Sequence, residues 1–382
     1  MFDKIAQYAR DLGDAGKFLS ADNYSRRRFV IYSEGTGYFR YFEGIYDYLV
    51  ANTNLQFSYI SSDPRDAIFQ RDDRVDKYYI KHSLPATFDR LDCDVVLLTV
   101  PDLGRMHLKR PSSGKTEFIY IFHALVSTHL QYNLGAFDHY DTIFTVGEHH
   151  DREIRETESL YGLPSKNLFK SGYHLTEKLF KQAQGFVSIP PNGRKRRVLI
   201  APSWSKGGIF ESCVDELVST LLKADFETVL RPHPEFVKRY PERMKTLEAL
   251  CKKDSRLVLE TNHLKSTSMY DTDLLITDRS GICFEYAFAR QKPVLFIDTP
   301  LKIHNPEYER LKNVPVEITT RSQMGLSIRP EDISSKLIPV LEELIVNSNG
   351  YGESILHLRN SLQYNWMSCV EQSANYILSR LK

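Results

Sequence analysis

Residues 273–299 read DLLITDRSGICFEYAFARQKPVLFIDT, in which two apolar runs flank a polar turn and a third apolar run follows. This order predicts a buried strand, a turn, an apolar helix that begins near Ser280 and a second strand. The first amides of that helix have no helical partner and lie at the positive end of the helix dipole, so they favour a phosphate. Gly281 leaves room for such a group to approach closely. The segment predicts an anion site in an α/β domain, and a plain turn capped by Ser280 is the alternative.

The predicted helix contains one acid, Glu285, among apolar neighbours. Because burial of an unpaired charge is costly, this carboxylate requires a partner, such as a pair of ribose hydroxyls or an arginine. Glu285 is therefore a candidate ligand-binding residue, and a solvated position at the rim of the helix is the alternative. Asp278, in the preceding turn, is a candidate for orienting that turn.

A second motif, ETVLRPHP at residues 227–234, ends a short apolar strand with Arg231 and His233. Each proline restrains the residue before it to an extended conformation, which holds both side chains at the carboxyl end of the strand. Ligands of open α/β sheets bind at that edge. Arginine clamps phosphate oxygens with a planar fork, and histidine donates to phosphate or moves a proton near neutral pH. Both residues are candidates for a phosphate site, and a structural turn is the alternative.

The first half of the chain contains EFIYIFHAL at residues 117–125, which predicts a buried strand that ends at His123. If the two halves of the chain face each other, His123 is the leading candidate for a general base. A histidine that closes an apolar strand is also commonly a satisfied core group, and this reading is the alternative.

Two glycine-bearing loops follow predicted strands. PSWSKGG at residues 202–208 would place Ser203 and Lys206 near a phosphate, although lysines in such loops are usually solvated. EGTGYFRY at residues 34–41 lacks the GxGxxG spacing and the later acid of a dinucleotide-binding turn, so a Rossmann dehydrogenase is not supported.

The composition indicates a globular protein. A chain of 382 residues is long enough for two domains, and a formal net charge of +1 gives no reason to expect nucleic acid as a partner. The five cysteines are scattered without the close spacing of a zinc or redox site, so we expect reduced thiols, no bound metal and no cofactor. No apolar window reaches the length of a membrane span, and a cytoplasmic protein is expected.

Residues 1–19 have an apolar stripe at helical spacing that includes Ile5, Tyr8 and Leu12, and three arginines follow at residues 26–28. This pattern is compatible with a helix that lies on the inner face of an anionic membrane as a peripheral contact. A helix packed on its own domain is the alternative. A second basic run, RKRR at residues 194–197, is compatible with a solvated linker.

Alternating strand-like and helical runs predict two doubly wound, Rossmann-like α/β domains that face each other across a cleft. GFVSIPPNGRKRR at residues 185–197 marks a linker. The predicted domains are residues 1–190 and 191–360, and residues 361–382 are predicted as a C-terminal helix that packs back toward the first domain. The predicted strands are residues 29–33, 57–61, 94–100, 117–122, 141–147, 198–201, 228–230, 257–260, 274–277, 294–298 and 316–318.

Four motifs, taken in order, resemble the CDP-glycerol glycerophosphotransferase family, the enzymes related to teichoic-acid primases and polymerases. The resemblance covers residues 117–299. Its motifs look like the His-Gly, Pro-Thr-Trp, Arg-Pro-His-Pro and Thr-Asp-Tyr-Ser-Ser elements of the family. In this sequence they are Phe122-His123-Ala124, Ala201-Pro-Ser-Trp204, Arg231-Pro-His-Pro234 and Ile276-Thr-Asp-Arg-Ser-Gly281.

The resemblance implies the GT-B fold, with the nucleotide donor held by the C-terminal domain and the acceptor by the N-terminal domain. It implies His123 as the base and Arg231, His233 and Ser280 as groups around a pyrophosphate. Four positions depart from the family pattern and leave open a CDP-linked polyol other than glycerol, or another nucleotide donor. These are Ala124 for glycine, Arg279 for tyrosine, Gly281 for serine and Glu285 for aspartate.

The resulting hypothesis is a transferase in cell-envelope polymer synthesis. It would move a polyol phosphate, such as glycerol phosphate, from a CDP-linked donor to a hydroxyl of a lipid-linked or saccharide acceptor and release CMP. The alternatives are a GT-B glycosyltransferase or nucleotide-sugar 2-epimerase with a nucleotide-sugar donor, and a non-catalytic nucleotide-binding module. The predicted catalytic residues are His123 and His233, and the predicted donor-binding residues are Ser203, Lys206, Arg231, Asp278, Ser280, Gly281 and Glu285.

Overall fold

The computed structural model describes residues 2–105, 108–112, 114–186, 194–262 and 267–381. The chain folds into two compact units. The first comprises Met1–His123, Tyr132–Leu175 and Gln363–Lys382, and the second comprises Ala124–Gln131 and Thr176–Leu362. The predicted boundary between residues 190 and 191 lies outside the described residues, so the predicted domain ranges 1–190, 191–360 and 361–382 stay predictions.

The chain alternates strands with helices, as the sequence pattern indicates. The strands, in chain order, are β1 (Phe29–Ser33), β2 (Ser58–Ser61), β3 (Asp76–Tyr79), β4 (Val95–Leu98), β5 (Glu117–Ile121), β6 (Thr142–Thr145), β7 (Asn167–Lys170), β8 (Arg197–Ile200), β9 (Glu227–Leu230), β10 (Leu257–Leu259), β11 (Leu274–Thr277), β12 (Val294–Ile297) and β13 (Gly325–Ile328).

The helices vary from single turns to 18 residues. In chain order they are α1 (Phe2–Leu19), α2 (Glu43–Asn52), α3 (Leu84–Asp89), α4 (Thr128–Gln131), α5 (Glu148–Tyr161), α6 (His174–Gly185), α7 (Ile209–Ser212), α8 (Val214–Lys223), α9 (Pro234–Arg239), α10 (Pro241–Cys251), α11 (Thr267–Tyr270), α12 (Ile282–Arg290), α13 (Val316–Thr319), α14 (Arg321–Met324), α15 (Ile333–Val346), α16 (Ser348–Leu362) and α17 (Cys369–Arg380).

Each unit is built on one parallel sheet. Within the described residues, the first sheet has the strand order β3-β2-β1-β4-β5-β6-β7 and the second has the order β10-β9-β8-β11-β12-β13. The central strands are apolar on both faces, and every residue of β4, β11 and β12 is buried. Continuous apolar strands of this kind are typical of parallel sheets that helices cover on both sides. The sequence therefore determines both sheets through its buried runs.

The prediction of a last strand at residues 316–318 is wrong. Val316–Thr319 is a helical turn that begins after Pro315, and the edge strand of the second sheet is β13. Gly325 permits this pairing, because a Cβ at that position would lie 1.8 Å from the Val294 carbonyl oxygen. The edge strand β13 therefore begins at Gly325, where no side chain obstructs the approach to β12, rather than at residues 316–318.

The C-terminal stretch returns to the first unit. The predicted amphipathic run near residues 355–381 divides into α16 and α17, and only the second of these belongs to the first unit. Ala374 and Ile377 of α17 are fully buried in the core of the first sheet. Tyr376 Oη donates to Glu117 Oε1 at 2.8 Å, which ties the helix to β5.

Helix α1 contacts β3 through a face that lies beside its predicted apolar stripe. Asp11 and Phe18 are fully buried, whereas Ile5, Tyr8 and Leu12 are 62%, 52% and 53% exposed. Tyr8 has a ring contact with His82 of the same unit, at 5.6 Å between centroids, but packing leaves most of the surface of Ile5 and Leu12 exposed. Among the described residues, no helix combines the length and hydropathy that a bilayer crossing requires.

The two basic runs are paired with acids. Arg27 Nε lies 2.7 Å from Asp92 Oδ1 and Arg28 Nη2 lies 2.8 Å from Asp94 Oδ2. In the second run, residues 194–197, Arg194 forms two hydrogen bonds with an aspartate carboxylate of the second unit. Much of the charge of both runs is neutralised within the fold, so neither run is a simple solvated basic patch.

Candidate functional site

The carboxyl ends of neighbouring strands in the second sheet carry most of the predicted site. Strands β9, β8, β11 and β12 lie side by side and parallel, so their carboxyl ends share one edge. The strand order reverses between β8 and β11, and ligands of open α/β sheets bind at such a reversal. Ser203 follows β8, Arg231 and His233 follow β9, and Asp278 and Ser280 follow β11.

Asp278 joins the turns after β8 and β11. The residue is only 2% exposed. Its Oδ1 accepts the backbone N–H groups of Ser203 at 2.9 Å and Ser280 at 3.1 Å, and its Oδ2 accepts the Ser203 hydroxyl at 2.7 Å. The carboxylate thereby holds both turns, and its role in the function stays a prediction. Ser203 uses its hydroxyl proton in this contact.

The amino terminus of α12 faces the turn that Asp278 orients. Gly281 is the N-cap of this helix. The Ser280 amide donates to Asp278, whereas the amides of Gly281 and Ile282 have no hydrogen bond within the described part of the chain. Two donors and the positive end of the helix dipole therefore remain for an anion.

The segment Ala124–Gln131 packs against this turn. A Cβ at position 281 would lie 3.3 Å from Val126 Cγ1 and 3.4 Å from Ala124 Cβ, which is tight for a side chain. Ser127 donates its amide and its hydroxyl to the two oxygens of buried Glu317, each at 2.9 Å. Glycine at 281 is therefore suited to the approach of this segment, in addition to the approach of a ligand that the sequence indicated.

Arg231 is held at the end of β9. It is 5% exposed, and its Nη1 donates to Ser268 Oγ at 3.2 Å and lies 3.7 Å from Glu260 Oε1. Its backbone N–H donates to the Ile200 carbonyl at 2.9 Å, which extends the pairing of β8 and β9. The sequence motif thus delivers a buried guanidinium to the sheet edge, as predicted from the two prolines.

His233 caps helix α9. Its Nδ1 accepts the backbone N–H of Glu235 at 3.1 Å. A ring nitrogen that accepts carries no proton, so in neutral His233 the proton is on Nε2. The residue therefore presents an N–H donor, which suits contact with a phosphate oxygen better than abstraction of a proton.

Two predicted donor-binding residues lie apart from these contacts. Lys206 is exposed on the turn after β8 and has no side-chain polar contact with the described residues. Glu285 is partly exposed in the first turn of α12. Their predicted roles stay predictions.

Lys302 also lies near this edge, although it is not among the site residues predicted from the sequence. Its Nζ lies 4.2 Å from the centroid of the Trp204 ring, and Arg239 lies 4.5 Å from the same centroid. Burial lowers the pKa of Lys302 to about 8, and the nearby charges of Asp278 and Glu235 oppose that shift. An ammonium that stays close to an indole ring is stabilised by the ring's negative face. The residue lies on an irregular loop after β12, so no local pattern marks it.

His123 lies two residues after the end of β5 in the first unit. Its Nδ1 lies 3.5 Å from Tyr120 Oη, and the rings of Tyr41 and Tyr132 lie 5.9 Å and 5.8 Å from the imidazole. Tyr173 Oη donates to the His123 carbonyl at 3.0 Å. Burial raises the pKa of Tyr120 well above its usual value, so its hydroxyl stays protonated. His123 is thus partly exposed in an aromatic setting rather than buried in the core.

The second unit thus brings Ser203, Asp278 and Ser280 into direct contact, with Arg231 and His233 on the neighbouring strand end. The placement of His123 relative to these residues stays a prediction. In the described ranges, no three side chains of His, Cys, Asp or Glu converge in a way that could hold a metal ion.

Solved structures of similar fold cover nearly the whole chain. The wall teichoic acid polymerase TagF matches with a TM-score of 0.59 and 13% identity, over 99% of this chain and 98% of that chain. A putative UDP-N-acetylglucosamine 2-epimerase from Listeria monocytogenes matches with a TM-score of 0.60 and 14% identity, over 93% and 97%. UDP-GlcNAc 2-epimerase from Neisseria meningitidis matches with a TM-score of 0.60 and 15% identity, over 92% and 99%. At these identities the likeness concerns the fold, and it confirms the predicted GT-B class with two parallel-sheet α/β domains.

Sequence comparisons show which family the chain belongs to. No curated protein sequence matches this chain. The sequence profile of CDP-Glycerol:Poly(glycerophosphate) glycerophosphotransferase matches residues 29–314, which is most of the chain and includes all four motifs quoted above. The predicted family and the prediction of an enzyme are confirmed, and the chain belongs to the CDP-glycerol:poly(glycerophosphate) glycerophosphotransferase family.

Proposed function

We propose that this enzyme transfers glycerol phosphate from CDP-glycerol to a hydroxyl of a lipid-linked or saccharide acceptor. In the reaction the acceptor oxygen forms a bond to the β-phosphorus, the bond from that phosphorus to the bridging oxygen breaks, and CMP leaves. The observation that carries the proposal is the anion turn at the start of α12, in a chain whose family acts in glycerophosphate transfer. Phosphoryl transfer depends mainly on positioning and charge stabilisation, which this turn supplies.

The donor diphosphate is assigned to the carboxyl edge of the second sheet. The amides of Gly281 and Ile282 donate to its oxygens, and Arg231 and the Nε2–H group of His233 add charge and a further donor. Asp278 acts indirectly, since its carboxylate holds the turns after β8 and β11. Glu285 accepts the ribose hydroxyls, and Lys206 contacts the phosphates from its exposed loop.

His123 is assigned as the base that removes the acceptor's proton. For Nε2 to accept that proton, Nδ1 carries the ring proton and donates to Tyr120 Oη, 3.5 Å away. Support for this role comes from the resemblance of Phe122-His123-Ala124 to the family's His-Gly element, which lies within the residues that the family profile matches. The proton from the acceptor hydroxyl ends on the imidazole, and bulk solvent accepts it after the product leaves.

The proposal is tested by CMP release from CDP-glycerol and CDP-ribitol, with UDP-sugars as competing donors. We expect His123→Ala to lower turnover by roughly two to four powers of ten, and Arg231→Ala by about a hundredfold or more. The exposed residues His357 and Arg329 provide matched control variants, His357→Ala and Arg329→Ala, which should keep parental rates. Parental turnover in both test variants, or release of UDP instead of CMP, would contradict the proposal.

We also propose that α1 makes peripheral contact with an anionic membrane surface. The exposed stripe of Ile5, Tyr8 and Leu12 supports this, since apolar residues on one helix face can insert at the lipid interface. Cosedimentation with vesicles of anionic lipid provides the test. Binding should fall in Ile5→Glu and Leu12→Glu variants and persist in Leu356→Glu, which alters an exposed leucine of α16. Equal binding by all variants would exclude α1 as the contact.

A further inference from the structure

A pocket lies on one face of the second sheet, between the edge strand β10 and α11. Val258 of β10 pairs in register with Val229 of β9, so their side chains lie on the same face, and both line the pocket. The pocket volume is about 350 Å³, within the range of roughly 300–1,000 Å³ that is usual for small-molecule sites. Val258 is 41% exposed, so the pocket opens to solvent.

The pocket extends along the strands, away from the edge that is assigned to the donor diphosphate. Arg197 at the amino end of β8 and Glu260 just after the carboxyl end of β10 both line it. The register of β8, β9 and β10 places these two residues four positions apart along the strands, which is about 13 Å. Strands β10 and β11 are three positions apart in the sheet, so roughly 14 Å separates Glu260 from the turn after β11. The pocket is therefore distinct from the anion turn.

Three polar side chains of the pocket have hydrogen-bonding capacity that the described residues do not use. Glu260 Oε1, Asp271 Oδ1 and Arg197 Nε are buried atoms without a hydrogen-bond partner in the described part of the chain. The side chains of Glu260, Asp271 and Arg197 are 16%, 25% and 26% exposed, so a ligand can reach each of them. Because an unsatisfied buried polar atom costs free energy, a ligand that completes these hydrogen bonds is favoured.

Both carboxylates of the pocket are already paired in charge. Asp271 Oδ2 accepts a hydrogen bond from Arg197 Nη1 at 2.5 Å, and Arg231 Nη1 lies 3.7 Å from Glu260 Oε1. A phosphate would be repelled by the two carboxylates, and an amine by the two guanidinium groups. A hydroxyl instead donates to a carboxylate oxygen without adding a net charge. The charge pairs therefore favour a neutral ligand that carries hydroxyl groups.

The rest of the lining favours an acyclic ligand. Thr261, Asn262, Thr267 and Ser268 add hydroxyl and amide groups that can both donate and accept. Among the described residues that line the pocket, none has an aromatic ring on which a nucleobase or a sugar ring could stack. The lining thus suits a short chain of hydroxyl groups better than the cytidine of the donor.

We propose that this pocket binds a small neutral polyol whose hydroxyl groups donate to Glu260 and Asp271. Occupancy also acts on Arg231. A hydroxyl that donates to Glu260 Oε1 weakens the hold of that carboxylate on Arg231 and leaves the guanidinium more available to a diphosphate. The polyol and CDP should therefore tighten each other's binding, because coupling between two sites is reciprocal. The coupling rests on the proposed function, whereas the pocket itself does not.

The test measures binding of ribitol to the full chain by saturation-transfer NMR. We expect saturable binding by the parent. Val258→Trp, which fills the pocket, and Thr267→Val, which removes a hydroxyl, should each weaken that binding by roughly fivefold or more. The control Val346→Trp alters a valine of α15 that is 79% exposed and should bind ribitol as the parent does. Absence of saturable binding by the parent, or parental binding by both pocket variants, overturns the proposal.

Charged probes test the class of ligand. Putrescine carries two ammonium groups, and inorganic phosphate is an anion without a carbon chain. We expect neither probe to displace ribitol, because the carboxylates and guanidinium groups of the pocket neutralise each other. Displacement of ribitol by either probe overturns the assignment to a neutral ligand.

CDP separates this pocket from the donor edge. We expect ribitol to bind about threefold more tightly when CDP is present at saturation, and this increase should vanish in Glu260→Gln, which keeps one acceptor oxygen. Displacement of ribitol by CDP would assign the pocket to the donor and overturn the proposal. Equal affinity for ribitol with and without CDP overturns the coupling. These measurements need no turnover, so absence of CMP release counts against the proposed reaction while the pocket is judged separately.

Discussion

His233 shows how a backbone contact assigns the role of a titratable side chain. Because Nδ1 accepts the Glu235 amide, the ring presents Nε2–H toward its remaining surroundings. The sequence motif left open whether this residue donates to phosphate or moves a proton, and the cap favours the first role. The same contact makes the residue a structural cap of α9, so the two roles require different substitutions to separate them.

We expect His233→Asn to keep the cap and lose the phosphate contact. Asparagine is a preferred N-cap, so the free energy of unfolding of His233→Asn in urea should stay near that of the parent. The free energy of unfolding of His233→Ala should fall by about 1 kcal/mol. Both variants should lower kcat/KM for CMP release by about a hundredfold. Parental kcat/KM in His233→Asn would show that the ring serves only as a cap.

We expect the titration of Lys302 to make both stability and CDP binding depend on pH. Its pKa is lowered by burial to about 8, below the usual 10.5. Between these pH values the unfolded chain binds more protons than the folded chain, so the free energy of unfolding should rise with pH across this window. The charge near Trp204 is lost over the same window, so the Kd of CDP should increase above about pH 8.

Lys292 is a control that separates the effect of pH on stability from its effect on CDP binding. Burial also lowers the pKa of Lys292 to about 8. Lys292 lies just before the start of β12, away from the carboxyl edge of the sheet. Calorimetry of CDP binding from pH 7 to pH 10 should show a reduced pH dependence in Lys302→Met and an unchanged one in Lys292→Met. Equal effects of the two substitutions would show that Lys302 has no special link to the ligand.

The site residues that could be predicted from the sequence are those that end a strand. His123 and Arg231 follow apolar runs directly, and Ser280 follows one within three residues, so local pattern places them at a sheet edge. Lys302 could not be found in this way. It reaches the same edge from an irregular segment after β12, where tertiary packing rather than periodicity determines which side chain points inward.

At the scale of elements, the short segment Ala124–Gln131 has an unusual anchorage. It follows the first five strands in sequence but belongs to the second unit, where Glu317 accepts both polar groups of Ser127 and Gln131 Nε2 at 3.1 Å. Glu317 is 1% exposed. A buried carboxylate with several donors is the link that fixes this segment beside Gly281.

Glu317→Gln should therefore be destabilising. An amide has one acceptor oxygen, and its NH2 group would face a Ser127 or Gln131 donor, so we expect a loss of about 1–3 kcal/mol in the free energy of unfolding. Turnover should fall as well, because His123 immediately precedes the segment. The exposed acid Glu309 supplies a control, Glu309→Gln. If the two variants unfold at the same urea concentration, the anchoring role is excluded.

The strands that the sequence missed are those least marked by buried residues. β3 begins with two partly exposed residues, and β7 has no buried residue, so neither reads as a continuous apolar run. The wrong strand at residues 316–318 has the opposite cause. Val316 and Glu317 are both buried, but they belong to a helical turn in which Glu317 accepts hydrogen bonds from Ser127. A short run with buried residues is therefore not always a strand.

At the scale of the whole molecule, the chain returns from the second unit to complete the first. Helix α17 contributes Ala374 and Ile377 to a core that also contains Phe29 and Ile119. Ser373 Oγ lies 2.8 Å from Ser171 Oγ, and Gln363 Nε2 donates to the Tyr173 carbonyl at 3.0 Å. The last residues of the chain are thus part of the core of the first unit.

Ile377→Ala should consequently weaken the first unit from the far end of the sequence. Truncation of a fully buried isoleucine costs about 2–5 kcal/mol, whereas Val346→Ala, at a valine that is 79% exposed, should cost little. Hydrogen exchange locates the effect, since amides of β1 and β5 should lose protection while those of β11 retain it. Equal loss of protection in both sheets would mean that the units unfold as one. That outcome would show that the returning helix stabilises the molecule as a single cooperative body rather than the first core alone.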